Sequence, residues 1–338
     1  MVRIDDVAKA AGVSISTVSY ALSGKRPVSE DTKRRIDGII RELKYQPNAG
    51  AAMLASRRTH IFALTEPLRA DTHAPTHMAF VLAASIAARR NGYDILLLTD
   101  EDANDGMNRV AASGLADAIL ALDVAPHDER AELARAIRVP TVFIGLPSDP
   151  AGLICVDLDF EAAAALAVDT AATAGHRRLG LIGQTESTYL HSNFARRLRD
   201  GFERQARARA ATTEFRTSGS THTETAAVRD AVAQFVAGGV TFIAIHASDE
   251  VHAVVLAALA DEGIDVPGRM SVVSVGNVVD SGSTAAQLDH VPLVPQRSCD
   301  QAVDLALACL GDRPPAAGIR LIPPTYERRG SVATPSAP

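Results

Sequence analysis

Apolar residues recur with helical spacing over the first sixty positions and in short continuous runs beyond them. Ile4, Val7, Ala8 and Ala11 fall at i, i+3, i+4 and i+7, one face of a short helix that Gly12 breaks. Ser14 stands where its hydroxyl can cap a second helix, about Ile15 to Leu22. Val18, Ala21 and Leu22 are expected inward in that helix, leaving Ile15, Ser16, Thr17 and Tyr20 outward. Ser29 caps a third helix, with Glu30 and Asp31 in the first turn where the helix dipole favours acids; Ile36, Ile39, Ile40 and Leu43 repeat the stripe. Two short helices joined by a glycine turn, the second exposing small polar side chains, read as a helix-turn-helix. Periodicity alone fits a generic three-helix bundle equally well.

From His60 onward, apolar runs alternate with helical patterns. The runs are Ile61–Leu64, Tyr93–Leu98, Ala118–Ala121 and Val139–Ile144, then Leu179–Ile182, Thr241–Ile245 and Val272–Val275. Continuous apolar runs between helices predict parallel strands covered on both faces. A single TIM barrel would alternate in the same way, but residues 150–158 look like a crossing between two similar halves. The predicted architecture is α/β: a small all-α head and two doubly wound lobes with a cleft between them.

Composition sharpens this through its distribution. The 338 residues carry a net charge of −6, which argues against a nucleic-acid partner until it is divided. Residues 1–60 hold eleven Lys/Arg against six Asp/Glu, net +5; the remainder holds 23 against 34, net −11. A basic head on an acidic body is the asymmetry expected when one part alone meets phosphates. No apolar run approaches the roughly 20 residues of a spanning helix. The N-terminus lacks the apolar core of a secretory signal, and three scattered cysteines suit a reducing compartment; a cytoplasmic location is expected.

Three segments then carry a specific signal: Asp6–Ser19, Val28–Lys33, and Tyr45-Gln46-Pro47-Asn48-Ala49. Together they resemble the LacI/GalR (lactose-repressor) family of bacterial transcriptional regulators over about fifty contiguous residues. The resemblance implies a recognition helix offering Ser14, Ile15, Ser16, Thr17 and Tyr20 to double-stranded operator DNA, with Lys25 on phosphates. It also implies a hinge helix opened by the Tyr-x-Pro-Asn motif, in which Asn48, Ala51 and the wedge Leu54 meet the minor groove. Three positions depart from the family. Arg3 replaces the usual capping threonine, Tyr20 replaces an arginine found in many members, and Gly50 lies inside the hinge. The domains expected are the head at 1–45, hinge and linker at 46–58, and an effector-binding, dimerising body at 59–338. Its first lobe would take 59–156 and 287–317, its second 157–286 and 318–330, with a disordered tail at 331–338.

A looser resemblance to the periplasmic-binding-protein-like effector domain runs through Val156-Asp157, Gly175–Gly183, Gly201-Phe202, Ser248-Asp249 and Val266-Pro267. It implies a small effector, a sugar or sugar derivative, between the lobes, and a homodimer. Candidate effector residues are His73, Arg196, Arg197, Asp249 and Asn277. Leu198 stands at the family's sugar-binding arginine position, and Gly276-Asn277 replaces an expected aspartate. There is no dinucleotide fingerprint, P-loop, zinc string or cysteine–histidine pairing, so no cofactor, metal site or catalytic residue is expected. A ligand-responsive regulator, most simply a repressor, is the leading reading; a solute-binding protein or enzyme of the same α/β fold with an incidental helical head is the alternative.

Overall fold

The computed structural model describes residues 2–23, 26–45, 58–67, 69, 72–99, 103–279 and 282–335. The chain divides into two compact units, Met1–His60 and Ile61–Pro338. Among the described residues, no helix is long and apolar enough to cross a membrane.

The head holds α1 (Ile4–Ala11), α2 (Ile15–Ser23) and α3 (Glu30–Glu42). Each helix starts where a side chain satisfies an otherwise unpaired backbone donor. Ser14 Oγ accepts from Thr17 N at 3.1 Å, and Ser29 Oγ accepts from Thr32 N at 3.3 Å. Arg3 has no side-chain acceptor to offer α1; instead the Asp6 carboxylate accepts from the Arg3 backbone N–H at 2.8 Å. Gly12 ends α1 in the left-handed region at φ 62, where a side chain would be strained. Val7, Ala8, Ala11, Val18, Ile36 and Tyr45 close one small core. Leu22, expected inward, is instead 41% exposed, because the core is completed by Tyr45 from beyond α3.

The body contains two parallel sheets. The first is β1 (Ile61–Thr65), β2 (Asp94–Leu98), β3 (Ala118–Leu122), β4 (Thr141–Ile144), β5 (Ile154–Leu158) and β11 (Gly318–Ile322), in the order β11-β5-β4-β3-β1-β2. The second is β6 (Arg178–Gly183), β7 (Thr212–Thr217), β8 (Phe242–Ile245), β9 (Ser271–Asn277) and β10 (Asp289–Pro292), in the order β10-β9-β8-β6-β7. On the first sheet, α4 (Ala74–Arg90) and α12 (Pro295–Cys309) cover one face. The other face carries α5 (Ala103–Ser113) and α6 (Glu129–Ala136). On the second, α7 (Phe160–Ala174) and α9 (Asn193–Ala208) cover one face, the short α8 (Glu186–His191) leading into α9, and α10 (Thr225–Ala237) and α11 (Asp249–Asp261) cover the other. Both sheets are thus sandwiched, which is why their central strands read as unbroken apolar runs.

The lobe assignments need correction. Residues 154–158 are not merely a crossing: β5 pairs with β4 and β11 inside the first sheet. Residues 318–322, expected in the second lobe, form that sheet's edge strand β11, and residues 289–292, expected in the first, form β10 against β9. The chain therefore crosses between lobes after β5, after β10 and after β11. The tail is not disordered through 331–335. Ser331 is buried, its hydroxyl donates to Val272 O at 2.6 Å, and Ala333 O is held by His176 Nε2 at 2.9 Å. The Asp289 carboxylate draws the segment in by accepting from the backbone N–H groups of Arg329, Gly330 and Ser331.

Candidate functional site

In the head, α2 presents Ser14, Ile15 and Ser16 to solvent, with Thr17 and Tyr20 half-buried. Ser14 Oγ also bonds the hydroxyls of Ser16 and Thr17 at 2.8 Å each, so the start of α2 is a compact cluster of short polar side chains. The Arg26 guanidinium lies 5.3 Å over the Tyr20 ring, a cation–π contact that ties the basic loop to the helix. Lys25, Asn48, Ala51 and Leu54 lie outside the described residues.

In the body, a cavity of about 400 Å³ lies between the lobes. Its walls come from the C-terminal ends of strands and the helix starts that follow, where parallel α/β sheets bind ligands. The first lobe contributes Arg69, His73, His77 and Asp123. The second contributes Phe160, Phe194, Thr185, Thr188, Ser248 and Asn277. Gly276 shapes that wall: at φ 65 it is left-handed, and a Cβ there would come within 3.2 Å of the His246 ring and 3.1 Å of Phe160.

The floor on the first-lobe side is an ionic network. Glu66, just beyond β1, is fully buried and its Oε1 lies 2.6 Å from His77 Nδ1 on α4. Burial raises the Glu66 carboxyl above its ordinary value, a rise the His77 hydrogen bond only partly offsets. Burial would pull His77 down, but its hydrogen bond to Glu66 and the charges of Glu66 and Asp123 hold it up. Asp123 pairs with Arg69 and accepts from the Ser192 hydroxyl. Its backbone is left-handed at φ 51, a conformation costing a non-glycine residue about 1–2 kcal/mol. Below, buried Arg130 binds Asp128 at 2.7 Å and donates to the carbonyls of Thr65, Leu122 and Asp123, tying together the exits of β1 and β3.

Of the effector residues expected from sequence, His73 and Asn277 line the cavity; Arg196, Arg197 and Asp249 do not. Arg196 Nε donates to the carbonyl of Tyr189. Arg197 acts at one remove, pairing at 2.6 Å with Asp157, which does line the cavity. Asp249 accepts from the backbone N–H groups of Thr284 and Ala285 at 3.1 and 3.0 Å, fixing a 3₁₀ turn. Leu198, at the position of the family's arginine, is fully buried in the second lobe's core. Asn277 donates to Ile245 O and Ser274 Oγ at 3.0 Å each, so its amide nitrogen serves the lobe's own structure. The Glu66–His77–Asp123 cluster and the Phe160–Phe194 wall had no signal in the linear pattern, since spacings of eleven and forty-six residues match no motif.

Comparison with known proteins places these features. The family described as "Bacterial regulatory proteins, lacI family" matches residues 3–48, and "Periplasmic binding protein-like domain" matches residues 168–332. The helix-turn-helix regulator GalR of Escherichia coli (strain K12) is 28% identical, spanning 99% of this chain and 97% of its own. AglR of Rhizobium meliloti is 30% identical over 60% of this chain and 57% of its own. The lac repressor dimer bound to operator and the anti-inducer ONPF superposes with a TM-score of 0.75 at 21% identity, covering 98% of this chain and 99% of that one. The CelR–cellobiose complex superposes with a TM-score of 0.64 at 20% identity, covering 98% and 100%. At these identities the superpositions show a shared fold.

A helix-turn-helix head and a two-lobed body with a cleft at its strand ends define a DNA-binding regulator with a ligand site. Residues 3–48 carry the match to the lacI family of bacterial regulatory proteins and residues 168–332 the match to the periplasmic binding protein-like domain, and the chain is a helix-turn-helix transcriptional regulator.

Proposed function

We propose that this protein is a cytoplasmic, homodimeric repressor that binds a pseudo-palindromic operator and is switched by a neutral saccharide in the inter-lobe cleft. The observation that carries it is the cleft itself, about 400 Å³ at strand C-termini, in a chain whose head matches the lacI family. Two structural relatives, the lac repressor dimer bound to operator and the CelR–cellobiose complex, support the same assignment of parts.

Each α2 would enter the major groove with Ser14, Ile15, Ser16, Thr17 and Tyr20, while Lys25 neutralises phosphate. Asn48, Ala51 and Leu54 would act in the hinge between a head of 1–45 and a body of 59–338, Leu54 as an apolar wedge at the operator centre. In the cleft, the Phe160 and Phe194 rings suit the apolar face of a sugar ring, and Thr185, Thr188, Ser248 and His73 suit its hydroxyls. The carboxylates of Asp123 and Glu250 there disfavour a phosphorylated ligand. The three crossings between lobes are the natural hinges for closure. Ligand leverage is limited to its differential affinity for the two states, about 1–3 kcal/mol of coupling.

Fluorescence anisotropy of the full chain on a duplex selected from a random library tests this. The expected result is binding about 10³-fold or more tighter than to a scrambled duplex, shifted by at least one of galactose, maltose or cellobiose. Equal affinity for both duplexes would overturn the regulator mechanism. Specific binding indifferent to every neutral saccharide would overturn the assignment of ligand class.

A further inference from the structure

At the floor of the cleft, Glu66, His77 and Asp123 each bring a ligand atom to within 4.8 Å of the other two. The three side chains come from the exit of β1, the first turn of α4 and the exit of β3, so the first sheet itself sets their spacing. The Glu66 side chain has no exposed surface, Asp123 has 3% and His77 has 18%. Glu66 Oε2 is buried and accepts no hydrogen bond among the described residues. A buried carboxylate oxygen without a donor, beside a second carboxylate, is costly. A cation supplies what it lacks.

We propose that Glu66, His77 and Asp123 form a divalent transition-metal site, taking Zn²⁺ in preference to Mn²⁺. One imidazole and two carboxylates are a mixed nitrogen–oxygen donor set, which suits zinc better than the all-oxygen preference of calcium or magnesium. Around zinc, ligands at about 2.0–2.2 Å lie roughly 3.4 Å from one another, so metal binding would open the 2.6 Å Glu66–His77 hydrogen bond by less than about 1 Å and draw the wider-spaced ligand atoms together by side-chain rotation. His77 and Asp123 line the cavity, which leaves a further coordination position facing the ligand cleft. Ser192, donating to Asp123, is the outer-shell partner that would orient that carboxylate. Arg69 competes, because its guanidinium pairs with the same carboxylate and repels a cation. The site lies in the cleft assigned above to effector, but its metal binding stands or falls separately from operator recognition.

The test uses the full chain, stripped with EDTA, exchanged into metal-free buffer, and titrated calorimetrically with ZnSO₄ and separately with MnCl₂. Metal retained after desalting is counted by mass spectrometry. One zinc per chain is expected, held more tightly than manganese. Glu66→Gln and His77→Gln should each weaken binding by more than the roughly 10–100-fold lost with an outer-shell partner. His127→Ala, an exposed histidine elsewhere, should retain the full equivalent. Arg69→Met should tighten zinc binding, an effect that a purely structural ion-pair network would not produce. Circular dichroism checks each fold, and partly accessible His77 carries the test where Glu66→Gln fails to fold. Less than one retained zinc per chain, or unchanged affinity in the folded variants, would overturn the proposal.

Discussion

The first lobe meets the cleft with ionisable groups, Arg69, His73, His77 and Asp123 over a buried Glu66; the second meets it with the rings of Phe160 and Phe194 and the hydroxyls of Thr185, Thr188 and Ser248. Both lobes are parallel sheets covered on two faces, so the contrast lies in the loops that leave the strands. The lobes also use different buried anchors, the first for its strand exits and the second for the C-terminal segment. The first uses a buried cation, Arg130, whose guanidinium gathers three carbonyls and Asp128. The second uses a buried anion, Asp289, whose carboxylate gathers three backbone N–H groups and the Tyr326 hydroxyl at 2.9 Å. One fold thus supports a wall of ionisable groups on one side and, Glu250 apart, one of rings and hydroxyls on the other, and each lobe contains a buried anchoring charge of opposite sign.

Removing Arg130 is the hardest blow to that arrangement. Arg130→Met leaves Asp128 buried without its partner and frees three carbonyls, at an expected cost of about 3–5 kcal/mol in a urea titration of the body. Asp289→Ala is the matching change in the second lobe. It strips charged acceptors from backbone donors and should cost about 2–3 kcal/mol while loosening the tail to proteolysis. Equal losses from both would show that the two anchors are equivalent despite their opposite charge. In the cleft, Phe194→Ala should weaken saccharide binding about tenfold with little effect on operator affinity in the absence of ligand.

Acid probes the anchors with a defined sign. Asp128 is buried, yet Arg130 and backbone donors hold it below its ordinary 3.8; Asp289 is held below the same value by the backbone of Arg329, Ser331 and Gly330 despite burial. Each contributes stability that is present above the unfolded value and lost as pH falls through the lower folded one. The body's urea midpoint should therefore decline below about pH 4. Asp157 runs the other way. Burial lifts it to about 7 even though Arg197 sits 2.6 Å away, so desolvation outweighs that pair. Its contribution favours the folded chain at lower pH and is lost as pH rises through about 7, and Asp157→Asn should flatten that part of the profile. The smallest effect belongs to the head, where Ser29→Ala removes the α3 cap and should cost about 1 kcal/mol by thermal melt.

Legibility followed burial. β1, β2, β3, β4, β6, β8 and β9 announce themselves as apolar runs because helices cover both faces. β7 and β11 escaped because they are edge strands with a polar or alternating pattern, Thr-Thr-Glu-Phe-Arg-Thr and Gly-Ile-Arg-Leu-Ile. β10, also an edge strand, escaped because Asp289 and His290 interrupt any apolar run. The caps Ser14 and Ser29 were readable since capping is local. Asp249 was not, because its partners Thr284 and Ala285 lie thirty-five and thirty-six residues downstream and nothing near it in sequence names them.

Periodicity, caps and charge partition are short-range properties, and they suffice to establish that a basic helix-turn-helix precedes an acidic pair of parallel α/β lobes. Which lobe owns β10 and β11, which residues line the cleft, and that Glu66, His77 and Asp123 converge were decided by tertiary structure alone. Sheet order and lobe crossings bring together residues far apart in the chain, and pairwise contact at that distance leaves no trace in spacing.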